Sequence, residues 1–304
     1  MPWLRLIRWK NLLIIFFTQL LVWWCVVLPQ SPEVLGWVNF LCLSLSTVLI
    51  AAAGYIINDY FDVKIDSINK PEKMVLETII PRKQAIISHT VLNIIALVLA
   101  GYVAAQAHHY EWLLLQVCCT LLLWFYSTHF KRQYMTGNIV VALLTSLTVL
   151  ALYIYEPVMH RLSPLPMAGA GPSSLPVWIL AVYAYFAFML TWMREIVKDM
   201  EDIKGDGVDG CVTMPVKKGL QYSMGFAIAL SVLAIIPLGV AAWVLWGNGY
   251  QLLAGYVGLL LVLPLIAWSV FITRGATEEH YNNASHLLKL IMVLGVCALL
   301  IYRH

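Results

Sequence analysis

Charge is what this sequence lacks first. Aspartate, glutamate, lysine and arginine make up 12% of its 304 residues, against about 25% in a soluble domain, so an ordinary soluble globular fold is excluded. Nineteen basic and sixteen acidic side chains nearly cancel, leaving a formal net charge of +3. That excludes a nucleic-acid-binding composition, and no nucleic-acid partner is expected. Cysteine pairing is missing as well. The six cysteines (Cys25, Cys42, Cys118, Cys119, Cys211, Cys297) fall mostly inside apolar runs, with no CxxC, which argues against a disulfide framework or a zinc site. The histidines are dispersed, and the adjacent pair His108 and His109 has no third ligand nearby in sequence, so it reads as part of an interfacial loop. The apolar run from Leu12 to Leu28 follows basic residues as a signal peptide would. It is long for that role and has no small-x-small cleavage site, so it reads as a first membrane span.

Apolar residues are what the chain has in excess: 61% of the sequence, with a mean hydropathy of +0.81. A spanning helix needs about 20 apolar residues, and windows between polar breaks give nine of them. They lie at 11–29, 36–58, 84–106, 112–129, 137–155, 176–193, 221–246, 251–272 and 284–302. With the N-terminus inside, the cytoplasmic segments collect Arg5, Arg8, Lys10, Lys64, Lys70, Lys73, Arg82, Lys83, Lys131, Arg132, Arg194, Lys198, Lys204, Lys217, Lys218 and Arg274. That is sixteen of the nineteen basic residues; Arg161, Arg303 and Lys289 are the others. Positive residues stay inside. The expectation is therefore an all-α, multi-pass integral membrane protein with its N-terminus in the cytoplasm, nine spans and its C-terminus outside.

The stretch from Glu156 to Pro176 is rich in proline, glycine and serine and reads as an outer connection between two halves, about 1–155 and 176–304, of a single domain. The halves echo each other. Asn58-Asp59-Tyr60-Phe61-Asp62-Val63-Lys64-Ile65-Asp66 has the spacing DxxDxxxD, and the stretch from Lys198 to Asp206 repeats it 140 residues later with Asp199, Asp202 and Asp206. Each copy follows an even-numbered span, so both are expected to face the cytoplasm. A parallel repeat of this kind differs from the inverted repeats of many transporters. Six of the chain's seven aspartates lie in these two stretches, and the seventh, Asp209, follows three residues after the second.

Offsets of 0, +3 and +7 place three carboxylates along one helix face that continues past the membrane surface. Such charges repel unless a cation holds them, and hard oxygen ligands suit Mg²⁺, which takes one or two carboxylates together with phosphate oxygens. Two such faces meeting across a cleft would suit a diphosphate. The plainer reading is two solvated acidic loops, which leaves the repeated spacing without a reason. An EF-hand is disfavoured because its glycine and bidentate glutamate are missing at the required offsets. Arg194 and Lys198, four residues apart and leading into the second copy, are the better placed bases for a leaving diphosphate. Tyr55, Tyr60, Phe61, Tyr126 and Trp192 stand near the motifs, where they fit a pocket or an interfacial aromatic belt.

These residues resemble the UbiA superfamily of intramembrane prenyltransferases. The resemblance rests on NDYFDVKIDSINKPEK (Asn58 to Lys73), KDMEDIKGD (Lys198 to Asp206) and the nine-span layout over nearly the whole chain. Lesser similarities are Arg8 to Asn11, YSTHFKRQYMTGN (Tyr126 to Asn138) and TMPVKKG (Thr213 to Gly219). The resemblance implies nine helices around a central cavity open to lipid, with Mg²⁺ and a polyprenyl diphosphate held by the aspartate motifs. It implies Asp59, Asp62, Asp66, Asp199, Asp202 and Asp206 as metal ligands, with Asp62, Asp66, Asp202 and Asp206 central to catalysis. Asn58, Asn69, Lys73, Lys131, Arg194 and Lys198 are implied to bind the diphosphate. Many family members carry arginine where Lys73 stands, and lysine lacks the bidentate fork.

The implied reaction is transfer of the prenyl group to an acceptor that is lipid-soluble or bears a phosphate. The string REIVKDMEDIKGD (Arg194 to Asp206) is most similar to the branch that transfers a geranylgeranyl group to geranylgeranylglycerol phosphate. An aromatic, quinone-type acceptor is the rival within the same chemistry. Lys217 and Lys218 would suit a phosphate-bearing acceptor. A cation-coupled transporter, the alternative of another class, predicts ionisable groups near the bilayer midplane; Lys289 is the main candidate, and it lies near the predicted start of the ninth helix. A purely structural scaffold gives no reason for the twin spacing.

Overall fold

In the computed structural model, residues 1–69, 71–162 and 175–303 are described. Among these residues all nine expected spans form as helices: α1 (Trp9–Gln30), α2 (Trp37–Asn69), α3 (Arg82–Gln106), α4 (Tyr110–Thr128), α5 (Thr136–Ile154), α6 (Leu175–Glu201), α7 (Leu220–Gly247), α8 (Gln251–Arg274) and α9 (Glu278–Arg303). No strand occurs among the described residues, only an isolated bridge between Leu76 and Ile80. Hydrocarbon offers no partner to a backbone amide, so a span must satisfy its own. The protein is an integral, multi-pass membrane protein. Two helices run well past the apolar windows that predict them: α2 continues from 58 to Asn69, and α6 from 193 to Glu201. The first extension carries Asp59, Asp62 and Asp66, and the second carries Asp199.

Two compact units divide the chain: residues 1–131 with 146–184, and residues 132–145 with 185–304. In the first, α2 packs closely on α3 through small residues, with Ala52, Ala53 and Gly54 on one side and Ala85, Ala96 and Ala100 on the other, all buried. Small side chains let membrane helices approach where lipid supplies no hydrophobic drive. Ser46 Oγ donates to the Ala96 carbonyl at 2.7 Å across this seam. Gly54 also lets α4 come close, because a Cβ there would lie 2.9 Å from the tip of the Leu123 side chain, which would have to shift.

One fully buried amide, Gln19, joins three helices. It donates to Thr47 Oγ1 at 3.3 Å and to the Thr148 carbonyl at 2.9 Å, and it accepts from Ser44 at 2.9 Å. Glu156, at the edge of the expected Pro/Gly-rich connection, is fully buried and ordered by its contacts. Its carboxylate accepts from the backbone amides of Glu33 (2.9 Å), Val34 (3.1 Å) and Leu35 (2.8 Å) and caps the short helix Pro157–Arg161. Most of that connection, residues 163–174, lies outside the described residues.

The second unit has its own core. Met189, Met193 and Val197 of α6 meet Ala227, Leu230 and Ala234 of α7, Leu265 and Trp268 of α8, and Ala284 and Leu288 of α9. Trp268 Nε1 donates to the Ala284 carbonyl at 2.9 Å, and Ser231 shares a 2.7 Å hydrogen bond with Ser269. Proline shapes three of the nine helices. Pro237 lies inside α7, and the π turns Trp23–Val27 and Gly258–Val262 run just ahead of Pro29 and Pro264. A wider turn accommodates the missing donor and the bulk of the ring.

Candidate functional site

The first aspartate motif stands on an unbroken helix. From Asn58 to Asp66 the sequence interleaves aspartates with Phe61, Val63 and Ile65 and contains neither glycine nor proline, so nothing stops α2 from continuing to Asn69. Asp59, Asp62 and Asp66 therefore share one helical face, as the spacing predicts. Asp62 is nearly inaccessible at 4%, while Asp59 and Asp66 are half-buried.

The basic residues of the same unit come to these carboxylates. Arg8 Nη2 lies 2.8 Å from Asp59 Oδ1, and the Lys131 ammonium donates to Asp62 Oδ2. Asn58 Nδ2 donates to that same oxygen at 2.7 Å. Arg8 sits between the short helix Pro2–Leu6 and α1 with a left-handed backbone, φ 51°, a conformation that costs a non-glycine residue about 1 kcal/mol. Its guanidinium covers the ring of Tyr55 at 4.9 Å, and Tyr55 Oη accepts from Asn11 Nδ2 at 3.2 Å. Burial opposes the charge on Arg8 and on Lys131, but the facing carboxylates outweigh it and raise both pKa values above the ordinary range. Both bases stay charged.

The second motif does not repeat this backbone. Helix α6 ends at Glu201, Asp202 takes up a non-helical bend (φ −94°, ψ 8°), and a separate short helix runs Ile203–Val208. The expectation of three carboxylates along one continuous helix face is corrected here: Asp199 lies on α6, Asp202 in the bend and Asp206 on the short helix. Gly205 and Gly207 lie inside that short helix and keep it weak, since glycine disfavours a helix by about 1 kcal/mol relative to alanine; Gly210, with φ 74°, ends it. The turn closes with the Cys211 amide donating to the Asp206 carbonyl at 2.9 Å.

Within this unit Asn138 Nδ2 donates to Asp199 at 2.8 Å, and Arg132 Nη2 lies 2.8 Å from Asp209. Asp206 is buried at 4%. The two bases expected at a leaving diphosphate share a partner, for Lys198 Nζ donates to Glu195 Oε1 at 2.6 Å and Arg194 Nη1 lies 3.5 Å from the same oxygen. Lys70 and the side chain of Lys73 lie outside the described residues, and Asn69 closes α2.

The aromatics divide between the two readings made of them. Tyr55 and Tyr60 lie under arginines, the latter with Arg82 at 5.4 Å. Phe61 meets Trp124 edge-on at 6.0 Å. Trp192 packs against Phe188 and Phe226 in the second core. Sequence reasoning missed Arg8 as the partner of Asp59, Asn138 as the donor to Asp199, and Glu195. The first two come from positions 51 and 61 residues away, beyond any local spacing rule. Glu195 had a signal, because it stands beside Arg194 and three residues before Lys198.

Among the described residues, no three of histidine, cysteine, aspartate or glutamate already enclose a metal position. The donor set nevertheless fits Mg²⁺. Hard carboxylate oxygens reach it in ones and twos, and water and phosphate complete its octahedron. The cationic side chains on Asp59 and Asp62 show that this face calls for positive charge.

Comparison with known proteins gives a consistent answer. Residues 16–299 match the model of the UbiA prenyltransferase family. The digeranylgeranylglyceryl phosphate synthase of Methanothermobacter thermautotrophicus is 28% identical over 98% of this chain and 94% of its own length. The synthase of the same name from Thermococcus kodakarensis is 31% identical over 82% of this chain and 80% of its own. A solved structure from work on digeranylgeranylglyceryl phosphate synthase in membranes superposes with a TM-score of 0.64 at 25% identity, covering 99% of this chain and 96% of that one. A UbiA homologue from Archaeoglobus fulgidus bound to GPP and Mg²⁺ shares the fold, with a TM-score of 0.60 at 14% identity over 98% of this chain and 99% of that one.

Proposed function

The chain belongs to the UbiA prenyltransferase family, and on that premise we propose that it transfers a geranylgeranyl group from geranylgeranyl diphosphate to the free hydroxyl of geranylgeranylglycerol phosphate. The prenyltransferase activity follows from the family. The choice of acceptor is supported by relatives named digeranylgeranylglyceryl phosphate synthase that match almost the full length of the chain.

The observation that carries the chemistry is the end of α2, where Asp59, Asp62 and Asp66 share a face and two permanently charged bases lie on the first two. Mg²⁺, when bound, supplies Lewis-acid stabilisation of the charge that develops on the leaving diphosphate. We assign Asp59, Asp62 and Asp66 as its ligands in the first motif and Asp199, Asp202 and Asp206 as ligands in the second. Asn58, Asn69, Lys73, Lys131, Arg194 and Lys198 are assigned to the diphosphate, and Arg8 joins them because of its place on Asp59. Fixed cationic donors aimed at developing negative charge in a site poor in water are the largest contribution that a protein makes to such a step.

In the reaction, the allylic C–O bond breaks and its electron pair leaves on diphosphate. The acceptor hydroxyl oxygen gives a pair to the allylic carbon, and its proton is released. The products are an ether, diphosphate and H⁺. Residues 1–304 act as one catalytic domain in this reading, with the N-terminus and both aspartate motifs cytoplasmic and the C-terminus outside.

The test is product identification by mass. Purified protein with Mg²⁺, geranylgeranyl diphosphate and geranylgeranylglycerol phosphate should yield the digeranylgeranyl ether and diphosphate, and chelation should stop both. Product formed only with an aromatic acceptor would overturn the assignment of the glycerol phosphate.

A further inference from the structure

The segment that follows the second aspartate motif builds a basic corner of a different character from the motif itself. The Val212 amide donates to the Arg132 carbonyl at 2.9 Å, which splices this segment to the short helix Phe130–Arg132. Thr213 then opens the helical turn Met214–Lys218, which ends at Gly219 with φ 87°, a backbone conformation natural to glycine. The turn presents Lys217, whose Nζ lies over the ring of Tyr134 at 5.3 Å, with the Tyr134 hydroxyl beside that of Tyr222 on α7.

The other basic residues near this motif meet carboxylates: Arg132 meets Asp209, Arg194 and Lys198 meet Glu195, and Lys204 meets Glu278 at 2.7 Å. Lys217 instead rests on a ring face. A cation–π contact orients an ammonium without neutralising it. We infer that Lys217, fixed by Tyr134 and flanked by Lys218, recognises the phosphate monoester of the acceptor; the inference rests on the glycerol phosphate reading above.

Three features favour this ligand. First, the Lys217 side chain is exposed. Second, among the described residues no carboxylate pairs with it, so the corner suits a phosphate that arrives without a metal. A diphosphate that travels with Mg²⁺ needs the aspartates instead. Third, exposed Val212, Val216 and Tyr222 border it, an apolar margin suited to an anionic group at the end of a lipid tail.

The experiment compares geranylgeranylglycerol phosphate with its dephosphorylated alcohol as acceptors, in neutral phosphatidylcholine nanodiscs. Wild type should prefer the phosphorylated acceptor in kcat/KM, and K217Q should reduce that preference about tenfold, as expected for one charge-assisted contact. The loss should appear in KM for the acceptor, with KM for geranylgeranyl diphosphate unmoved. K217R should restore most of the preference, which separates recognition from misfolding, and Y134L should lower it about threefold while Y134F retains it. A K217Q effect on the diphosphate KM, or equal losses on both acceptors, would overturn the inference. An effect seen only when phosphatidylglycerol is added would assign Lys217 to a bilayer headgroup and overturn it too. Wild type that uses the phosphorylated acceptor while K217Q keeps the full preference sinks this inference alone. Wild type that uses neither glycerol acceptor sinks the acceptor reading, and this inference with it.

Discussion

The two aspartate motifs have the same spacing and opposite backbones. The first rides a 33-residue helix without interruption; the second bends at Asp202 and restarts as a six-residue helix. What differs is the filler. Phe61, Val63 and Ile65 carry α2 on without a glycine, whereas the second copy has Gly205 and Gly207 in its short helix and folds back at Gly210 (φ 74°), with the Cys211 amide donating to the Asp206 carbonyl. In the first motif a guanidinium meets Asp59 and an ammonium meets Asp62, and in the second the Asn138 amide donates to Asp199. The carboxylate spacing marks out the chemistry, and the residues between the carboxylates decide whether they stand on a rigid post or in an adaptable turn.

The largest expected effect tests whether both motifs hold metal despite this difference. D62N and D202N should each lower kcat by about 10²–10³-fold, the usual scale for losing one element of electrostatic stabilisation, as measured by transfer of labelled prenyl groups under saturating Mg²⁺. If D202N retained activity while D62N lost it, the two motifs would differ in function as well as in backbone, and the metal role of the second would be withdrawn.

A smaller effect separates the bases. Lys131 sits on a proposed metal ligand, whereas Lys198 sits on Glu195. Replacing Lys131 removes a cation that competes for Asp62, so K131Q should lower the Mg²⁺ concentration for half-maximal activity while raising KM for the prenyl diphosphate about tenfold. K198Q should raise that KM by a similar factor and leave the Mg²⁺ dependence in place. A Mg²⁺ titration of the two variants side by side decides the matter, and identical curves would remove the distinction drawn here.

Much of this architecture was legible in the sequence because a membrane leaves a chain few options. Spans must be apolar and helical, and all nine were readable from apolar windows alone. The aspartate pairs were legible because six of seven aspartates in two stretches cannot be scatter. The partners of those aspartates were not. Arg8 reaches Asp59, Lys131 reaches Asp62 and Asn138 reaches Asp199 only after helices distant in sequence have packed, and no periodicity encodes such a meeting. Glu156 was hidden for the opposite reason. It lies at the start of a Pro/Gly-rich stretch that reads as loop, yet it is fully buried because the backbone amides of residues 33–35 and 158 converge on it. The bend at Asp202 has no glycine or proline at it or in the turn before it, and the repeated carboxylate spacing pointed toward a continuous helix.

The smallest expected effect tests the short helix beyond that bend, by exchanging the fillers. Gly207 has open space where a Cβ would go and lies within the short helix Ile203–Val208. G207A should therefore stabilise that helix by about 0.5–1 kcal/mol, seen as slower amide exchange across residues 203–208. The mirror change, V63G, puts glycine into the continuous motif and should weaken the helix by a similar amount plus the packing lost with a partly buried valine, raising exchange from residue 62 to Asn69. If the first motif works as a rigid post and the second as an adaptable turn, both substitutions should slow transfer by about three- to tenfold at comparable melting temperatures, G207A by stiffening what must adapt and V63G by loosening what must not. Should G207A transfer at the wild-type rate while its amides exchange more slowly, the weakness of the short helix would be a by-product of glycine content, and the contrast between the motifs would be one of backbone shape without consequence for catalysis.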